Sequence, residues 1–186
     1  MNNNDNQKFH EKTIRTESIF QGKIISLQVD HVELPNGQMA TREIVRHPGA
    51  VCVLALLNDR MLVVEQYRKP LGRSQVEIPA GKLERGEDPM EAAGRELQEE
   101  TGYRAESLRL ICSYYTSPGF ADELIHFYAA EHLIKGEVNL DEDEFLECEA
   151  ITLEQAQQMI AEKRISDAKT IAAVYAWRIY KLTGSF

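Results

Sequence analysis

Apolar residues change their spacing several times along the chain, and each change marks an element. Between Thr13 and Val45 they come in short β-branched runs, with Ile24, Ile25, Leu27, Val29 and Val32 ahead of a Pro35-Asn36-Gly37 turn signal. The spacing predicts short strands, with a hairpin around that turn. Ala50 to Leu57 is a continuous apolar run that stops at Asn58-Asp59, the pattern of a strand buried on both faces. Met61 to Tyr67 predicts the returning strand. Asp88 as N-cap, Pro89 at the first helical position and Gly102 as a stop predict a helix. Further strands are predicted over Ser107–Tyr115 and Leu124–Glu131. Thr152-x-x-Gln155 is a capping box for a helix to about Lys163. Asp167 caps a last helix to Lys181, with Ile171, Val174, Tyr175 and Ile179 near helical spacing and Trp177 predicted in the core. Strands, a helix, strands and two helices predict an α+β fold, a mixed sheet covered by helices. Residues 1–12 read as a polar tail, and 13–186 as one domain.

Composition narrows the class. The 186 residues are 43% hydrophobic and 27% charged, a globular balance that needs no disulfide or structural metal. No apolar run nears the ~20 residues of a membrane span, and the N-terminus lacks a secretory core. Cys52, Cys112 and Cys148 are scattered without metal-type spacing, which fits a reducing cytoplasm. A net charge of −9 argues against nucleic acid or an anionic membrane as partner. A phosphorylated small molecule stays compatible if local cations offset the field.

The carboxylates concentrate where the helix from Pro89 begins and runs. At about 100° per residue, Glu96, Glu99 and Glu100 share one ~100° face. Like charges at this spacing destabilise an isolated helix, and a cation removes that cost. Hard oxygen ligands without a Cys or His cluster favour Mg2+, with Mn2+ as substitute. The competing account is a solvated acidic face relieved by an Arg95–Glu99 pair. The wider pattern decides between them. Residues 81–103 read Gly-x5-Glu-x7-Arg-Glu-U-x-Glu-Glu-x-Gly-U, with U bulky and apolar or aromatic. Chance gives that on the order of 10⁻⁹ per starting position.

This is the signature of the Nudix hydrolases, a family the chain resembles over nearly its whole length. The resemblance implies an α/β/α sandwich around a mixed sheet, with an N-terminal antiparallel strand pair. It implies hydrolysis of a nucleoside diphosphate linked to another moiety, with divalent metal. The metal ligands it implies are Glu96, Glu99, Glu100 and the carbonyl of Ala80, with Arg95 orienting the carboxylates and Glu87. Pro118, sixteen residues after Gly102, resembles the marker of the ADP-ribose pyrophosphatase subgroup. Gln66-Tyr-Arg68-Lys-Pro70, Glu77-Ile-Pro-Ala-Gly81 and Pro118-Gly-Phe-Ala-Asp-Glu123 resemble it too. In that subgroup an acidic loop supplies the base. Asp141-Glu-Asp-Glu144 holds that place, with Glu142 as general base and Glu144 as metal ligand; Asp143 or Glu147 are alternatives.

Arginine suits a diphosphate, and Arg68, then Arg42, are the candidates. Phe20 is a candidate to stack adenine, and Glu77 binds the adenine or ribose side by resemblance alone. His126 reads as a satisfied structural residue. The subgroup implies a homodimer through residues 13–45. Two other readings stand beside it: a Nudix enzyme acting on a nucleotide sugar or dinucleotide, and a non-catalytic ADP-ribose sensor. The intact carboxylates disfavour the sensor.

Overall fold

The computed structural model describes residues 8–136 and 145–186. The chain divides into two compact units. One is formed by the chain up to Gly49 together with Tyr115–Leu124, the other by Ala50–Tyr114 and Ile125–Phe186.

In the first unit three antiparallel strands lie in the order β1 (Lys12–Gln21), β2 (Ser26–Glu33), β3 (Met39–Arg46). The hairpin expected around Pro35-Asn36-Gly37 is β2–β3, closed by Leu34 N donating to Gln38 O at 2.8 Å. Strand β1 adds to the expected pair. It is exposed at every position, so no buried face imposes an alternating pattern on its sequence. The segment Tyr115–Leu124 docks on β3. Val45 N donates to Phe120 O at 2.8 Å, and Asp122 N donates to Val45 O at 3.2 Å.

The second unit opens with β4 (Ala50–Leu57), β5 (Arg60–Arg68), β6 (Arg73–Glu77) and β7 (Ala80–Lys82). Helix α1 (Pro89–Thr101) follows, then β8 (Tyr103–Tyr115), β9 (Leu124–Lys135), β10 (Leu146–Ile151), α2 (Leu153–Ala161) and α3 (Ala168–Thr183). The sheet runs β10-β5-β4-β9-β8, with β6 paired to β5 and β7 to β4. Strand β4 is parallel to β9 and antiparallel to β5 and β7, so the sheet is mixed. Asn58 and Asp59 both take positive φ, the conformation of a tight turn matched to strand twist.

The apolar run of β4 is buried on both faces. Cys52 and Leu54 pack with Met159 of α2 and Val174 and Trp177 of α3. Val51, Val53 and Ala55 pack with Ala92, Ala93 and Leu97 of α1. Helices therefore cover both faces, as a sandwich requires. The expected caps are present: Asp88 accepts from Met90 N, Thr152 and Gln155 form a reciprocal box, and Asp167 accepts from Thr170 N. The short strands β6, β7 and β10 carry too few residues to show a period. Among the described residues no helix is long and apolar enough to cross a membrane.

Candidate active site

The signature loop turns at Gly86, whose φ of 81° suits a residue without Cβ. Glu87 then accepts from Glu84 N at 2.9 Å, and Asp88 starts α1. Two turns further on, Arg95 reaches back. Its guanidinium donates to both oxygens of Glu87 at 2.9 and 3.1 Å, to Glu96 Oε1 at 2.8 Å and to Glu99 Oε2 at 2.9 Å. A longer contact of 3.4 Å goes to the Lys82 carbonyl. The Arg95–Glu99 pair of a solvated face is thus one part of a larger hub, and three carboxylates share one planar donor. The Glu87 bonds, with Glu96 and Glu99, hold the Arg95 pKa above its ordinary value. Arg95 in turn holds the Glu87 carboxyl below the usual range.

Glu96 and Glu100 are 8% and 2% exposed. Glu96 lies against Gly81, where a Cβ would stand 1.9 Å from its carboxylate carbon. The glycine is required here for close approach, since its φ is not positive. Glu100 Oε2 accepts from Ala80 N at 3.0 Å, which ties the motif helix to β7. The side chains around this point offer oxygen ligands, the carboxylates of Glu96 and Glu100. Buried carboxylates and a cradle that a side chain would fill fit a hard divalent cation. Among the described residues no three His, Cys, Asp or Glu side chains form a ready metal-binding group. Glu96 and Glu99 each accept a hydrogen bond from Arg95.

Arg68 and Glu77 meet each other. Arg68 Nε and Nη2 donate to the two Glu77 oxygens, both at 2.7 Å. That pairing raises the Arg68 pKa against the cost of its burial. Glu77 is 3% exposed and also receives Lys169 of α3. Burial pushes its carboxyl up, but Arg68 and Lys169 outweigh burial and hold it below the usual value. Lys169 was not legible as a site neighbour, because nothing local in Asp167-Ala-Lys-Thr170 shows that the ammonium points inward.

The first unit holds Phe20, Arg42 and Pro118. Phe20 is exposed on β1. Arg42 makes a bidentate pair with Glu11 at 2.8 and 2.5 Å. Pro118 sits in a turn closed by Ala121 N donating to Ser117 O at 2.8 Å. Beyond the turn, Asp122 receives Arg46 Nη1 at 2.9 Å and His47 N at 2.8 Å, and Thr116 Oγ1 donates to Glu123. The Pro118–Glu123 segment and the N-terminal strands are therefore joined through Val45, Arg46 and His47. Glu142, Glu144 and the alternative Asp143 lie outside the described residues. Glu147 is on β10, opposite Glu65. His126 is hydrogen-bonded to Ser113 Oγ at 2.8 Å, and Trp177 is fully buried.

Comparison with known proteins shows the family. The NUDIX domain family model matches residues 46–174, and the chain belongs to the Nudix hydrolase family. A second model, the nucleoside diphosphate sugar hydrolase N-terminal domain, matches residues 11–45. The chain is 61% identical to a methanol dehydrogenase activator of Bacillus methanolicus, over 89% of this chain and 91% of that one. It is 53% identical to an ADP-ribose pyrophosphatase of Bacillus subtilis, over 90% and 92% of the two chains. A crystal structure of an ADP compounds hydrolase superposes with a TM-score of 0.82 at 20% identity, covering 94% of this chain and 95% of that chain, so the two share a fold. Enzymes of this family generally depend on divalent metal.

Proposed function

We propose that this chain hydrolyses the diphosphate of ADP-ribose to AMP and ribose 5-phosphate. The chemistry rests on one observation: Glu96 and Glu100 are buried beside Gly81 and Ala80, with Glu96 joined to the Arg95 hub. The choice of ADP-ribose is supported by 53% identity, nearly end to end, to the pyrophosphatase of Bacillus subtilis.

Glu96, Glu99, Glu100 and the Ala80 carbonyl would hold Mg2+, or Mn2+ in its place, with Glu144 as a further ligand. An ion held there would supply the charge to neutralise the diphosphate and to polarise its phosphorus toward water. Arg95 donates to Glu87, Glu96 and Glu99 and so aims them, which preorganises the carboxylates before substrate arrives. Glu142 takes the proton of the attacking water, with Asp143 or Glu147 as alternatives for that role. Arg68 meets the diphosphate with the face that Glu77 leaves free, and Glu77 contributes by aiming it. Phe20 stacks on adenine. Arg42 serves the phosphates or terminal ribose once it exchanges Glu11 for substrate. The turn at Pro118 shapes the ribose side.

Two chains form the working unit. The exposed apolar residues Ile14, Ile19 and Phe20 of β1, with Ile24 and Ile25 in the turn that follows it, support a homodimer, which light scattering checks.

A second reading has its own support. The relative at 61% identity is a methanol dehydrogenase activator. The same hydrolytic site would then serve a dehydrogenase. Adding the protein to a methanol dehydrogenase assay, with and without Glu96→Gln, separates the two. Rate enhancement lost in the variant supports the second reading. The first is tested by product chromatography of ADP-ribose incubated with metal, where AMP is expected and its absence refutes the assignment.

A further inference from the structure

Lys169 is a half-buried lysine, its side chain 13% exposed, that the mechanism above leaves without a task. It stands in the first turn of α3, with its ammonium 2.5 Å from Glu77 Oε2 and 3.0 Å from Asp167 Oδ1. Burial alone would lower its pKa. Asp167 and Glu77 outweigh that and hold it above the ordinary lysine value, so it stays charged. Arg68, Glu77, Lys169 and Asp167 thus form a line of alternating charge. A buried ion set of this kind is a weak source of stability, because desolvation offsets the attraction. Its place in the chain says more.

Glu77 ends β6 and Ala80 begins β7, with only Ile78 and Pro79 between them. Each of the four residues is anchored. Arg68 and Lys169 grip Glu77. Ile78 N donates to Thr170 Oγ1 at 3.0 Å. Val53 N donates to Pro79 O at 2.9 Å. Ala80 N donates to Glu100 Oε2 at 3.0 Å. The grips come from α3, from the sheet and from α1, the helices being those that cover opposite faces of β4.

We propose that Lys169 is a positioning residue of the metal site: with Thr170 it holds the Glu77–Ala80 link against α3, and so sets where the Ala80 carbonyl stands relative to Glu100. This rests on the reading of Ala80 and Glu100 as metal ligands. Ligand distances in metal sites hold to about 0.2 Å, so a small drift of the link changes metal affinity well before it changes the fold. The effect has a sign of its own. Removing a cation from the neighbourhood of a divalent ion tightens binding by simple Coulomb repulsion relieved. Loosening the link weakens it. A role in stability alone shifts the melting temperature and leaves metal affinity where it was.

The test is a Mn2+ titration of the substrate-free protein, with free Mn2+ read by electron paramagnetic resonance and folding by circular dichroism and thermal melting. Lys169→Met is expected to raise the Kd for Mn2+ roughly tenfold or more, the usual scale for groups supporting metal ligands. Lys169→Arg keeps the charge and the reach, and is expected to recover most of the loss. Glu100→Gln is the check on the underlying reading. If it binds Mn2+ as wild type does, the ligand assignment fails and the proposal with it. If Glu100→Gln loses binding while folded Lys169→Met binds as tightly as wild type, or more tightly, the proposal alone is overturned. Should Lys169→Met not fold, Lys169→Gln keeps a hydrogen-bond donor beside Glu77 without the charge or the reach, leaves the Arg68–Glu77 pair in place and carries the same two outcomes.

Discussion

Gly81→Ala separates the geometry of the site from the stability of the fold. The added Cβ would stand 1.9 Å from Cδ and Oε1 of Glu96 and 2.3 Å from Oε2, where ordinary contact begins at 3.4 Å. The carboxylate must retreat by about 1.5 Å, since the backbone of β7 is held by β4 and by the Ala80–Glu100 bond. The 2.8 Å bond from Arg95 to Glu96 is lost or remade in the process. Folding suffers little. Gly81 lacks a positive φ, so alanine is conformationally accepted and narrows the unfolded ensemble, worth about 0.4–1 kcal/mol. The group displaced is the end of a flexible side chain. Catalysis suffers heavily, because misplacing a reacting group by ~1 Å costs on the order of 10²-fold. The expected outcome is a fall in kcat of about 10²-fold or more, with a melting temperature within a few degrees of wild type. Steady-state hydrolysis of ADP-ribose across a metal titration, with calorimetry alongside, measures both. Wild-type kcat in the variant would refute the placement of Glu96 at the reacting centre. A collapse of stability would refute the claim that this glycine serves the site.

Glu142→Gln is expected to lower kcat far more than it changes KM, because a base acts in the transition state. Unchanged kcat in that variant, with a large loss at Glu147→Gln, moves the base. Trp177→Ala removes a fully buried side chain that packs against β4 from α3, and is expected to cost about 3–5 kcal/mol in a denaturant titration. A cost under 1 kcal/mol would contradict that packing. The Glu77 carboxyl, facing Arg68 from β5 and Lys169 beside Asp167 from α3, is held below its ordinary 4.5. On acidification the unfolded chain takes up that proton first, so the stabilisation is complete above the unfolded value and fades as pH falls through the folded one. The stability gap between wild type and Glu77→Gln should therefore narrow from about pH 5 downward, and a gap that widens would show the wrong sign.

Elements that carried a local signal were read correctly from the residues. The run Ala50–Leu57 has no polar interruption because both its faces are covered, one by α1 and the other by α2 and α3. Asp88, Thr152 and Asp167 announce helices because each side chain satisfies backbone donors that only a helix start exposes. Strand β1 falls within the span read as short strands but was not separated from the hairpin, because it is exposed along its length and no hydrophobic period marks it. The signature placed Arg95, Glu96 and Glu100 together, since their relations are local to one helix and the loop before it. The tie from Glu100 to Ala80 and the pair Arg68–Glu77 depend on strand pairing between β4, β5, β6 and β7. Lys169 depends on which way α3 faces, ninety-two residues after Glu77, and no local pattern reports that. The signature names Gly81 without showing its constraint, which is the carboxylate above it.

The central claim is that this site cleaves the diphosphate of ADP-ribose with divalent metal. Catalytic efficiency should be measured for ADP-ribose, ADP-glucose, NADH and a diadenosine polyphosphate under one metal condition, with products resolved by chromatography and a chelator control. The expected result is the highest kcat/KM for ADP-ribose, equal amounts of AMP and ribose 5-phosphate, and no turnover in chelator. A higher kcat/KM for the sugar nucleotide or NADH, or products without AMP, would contradict it.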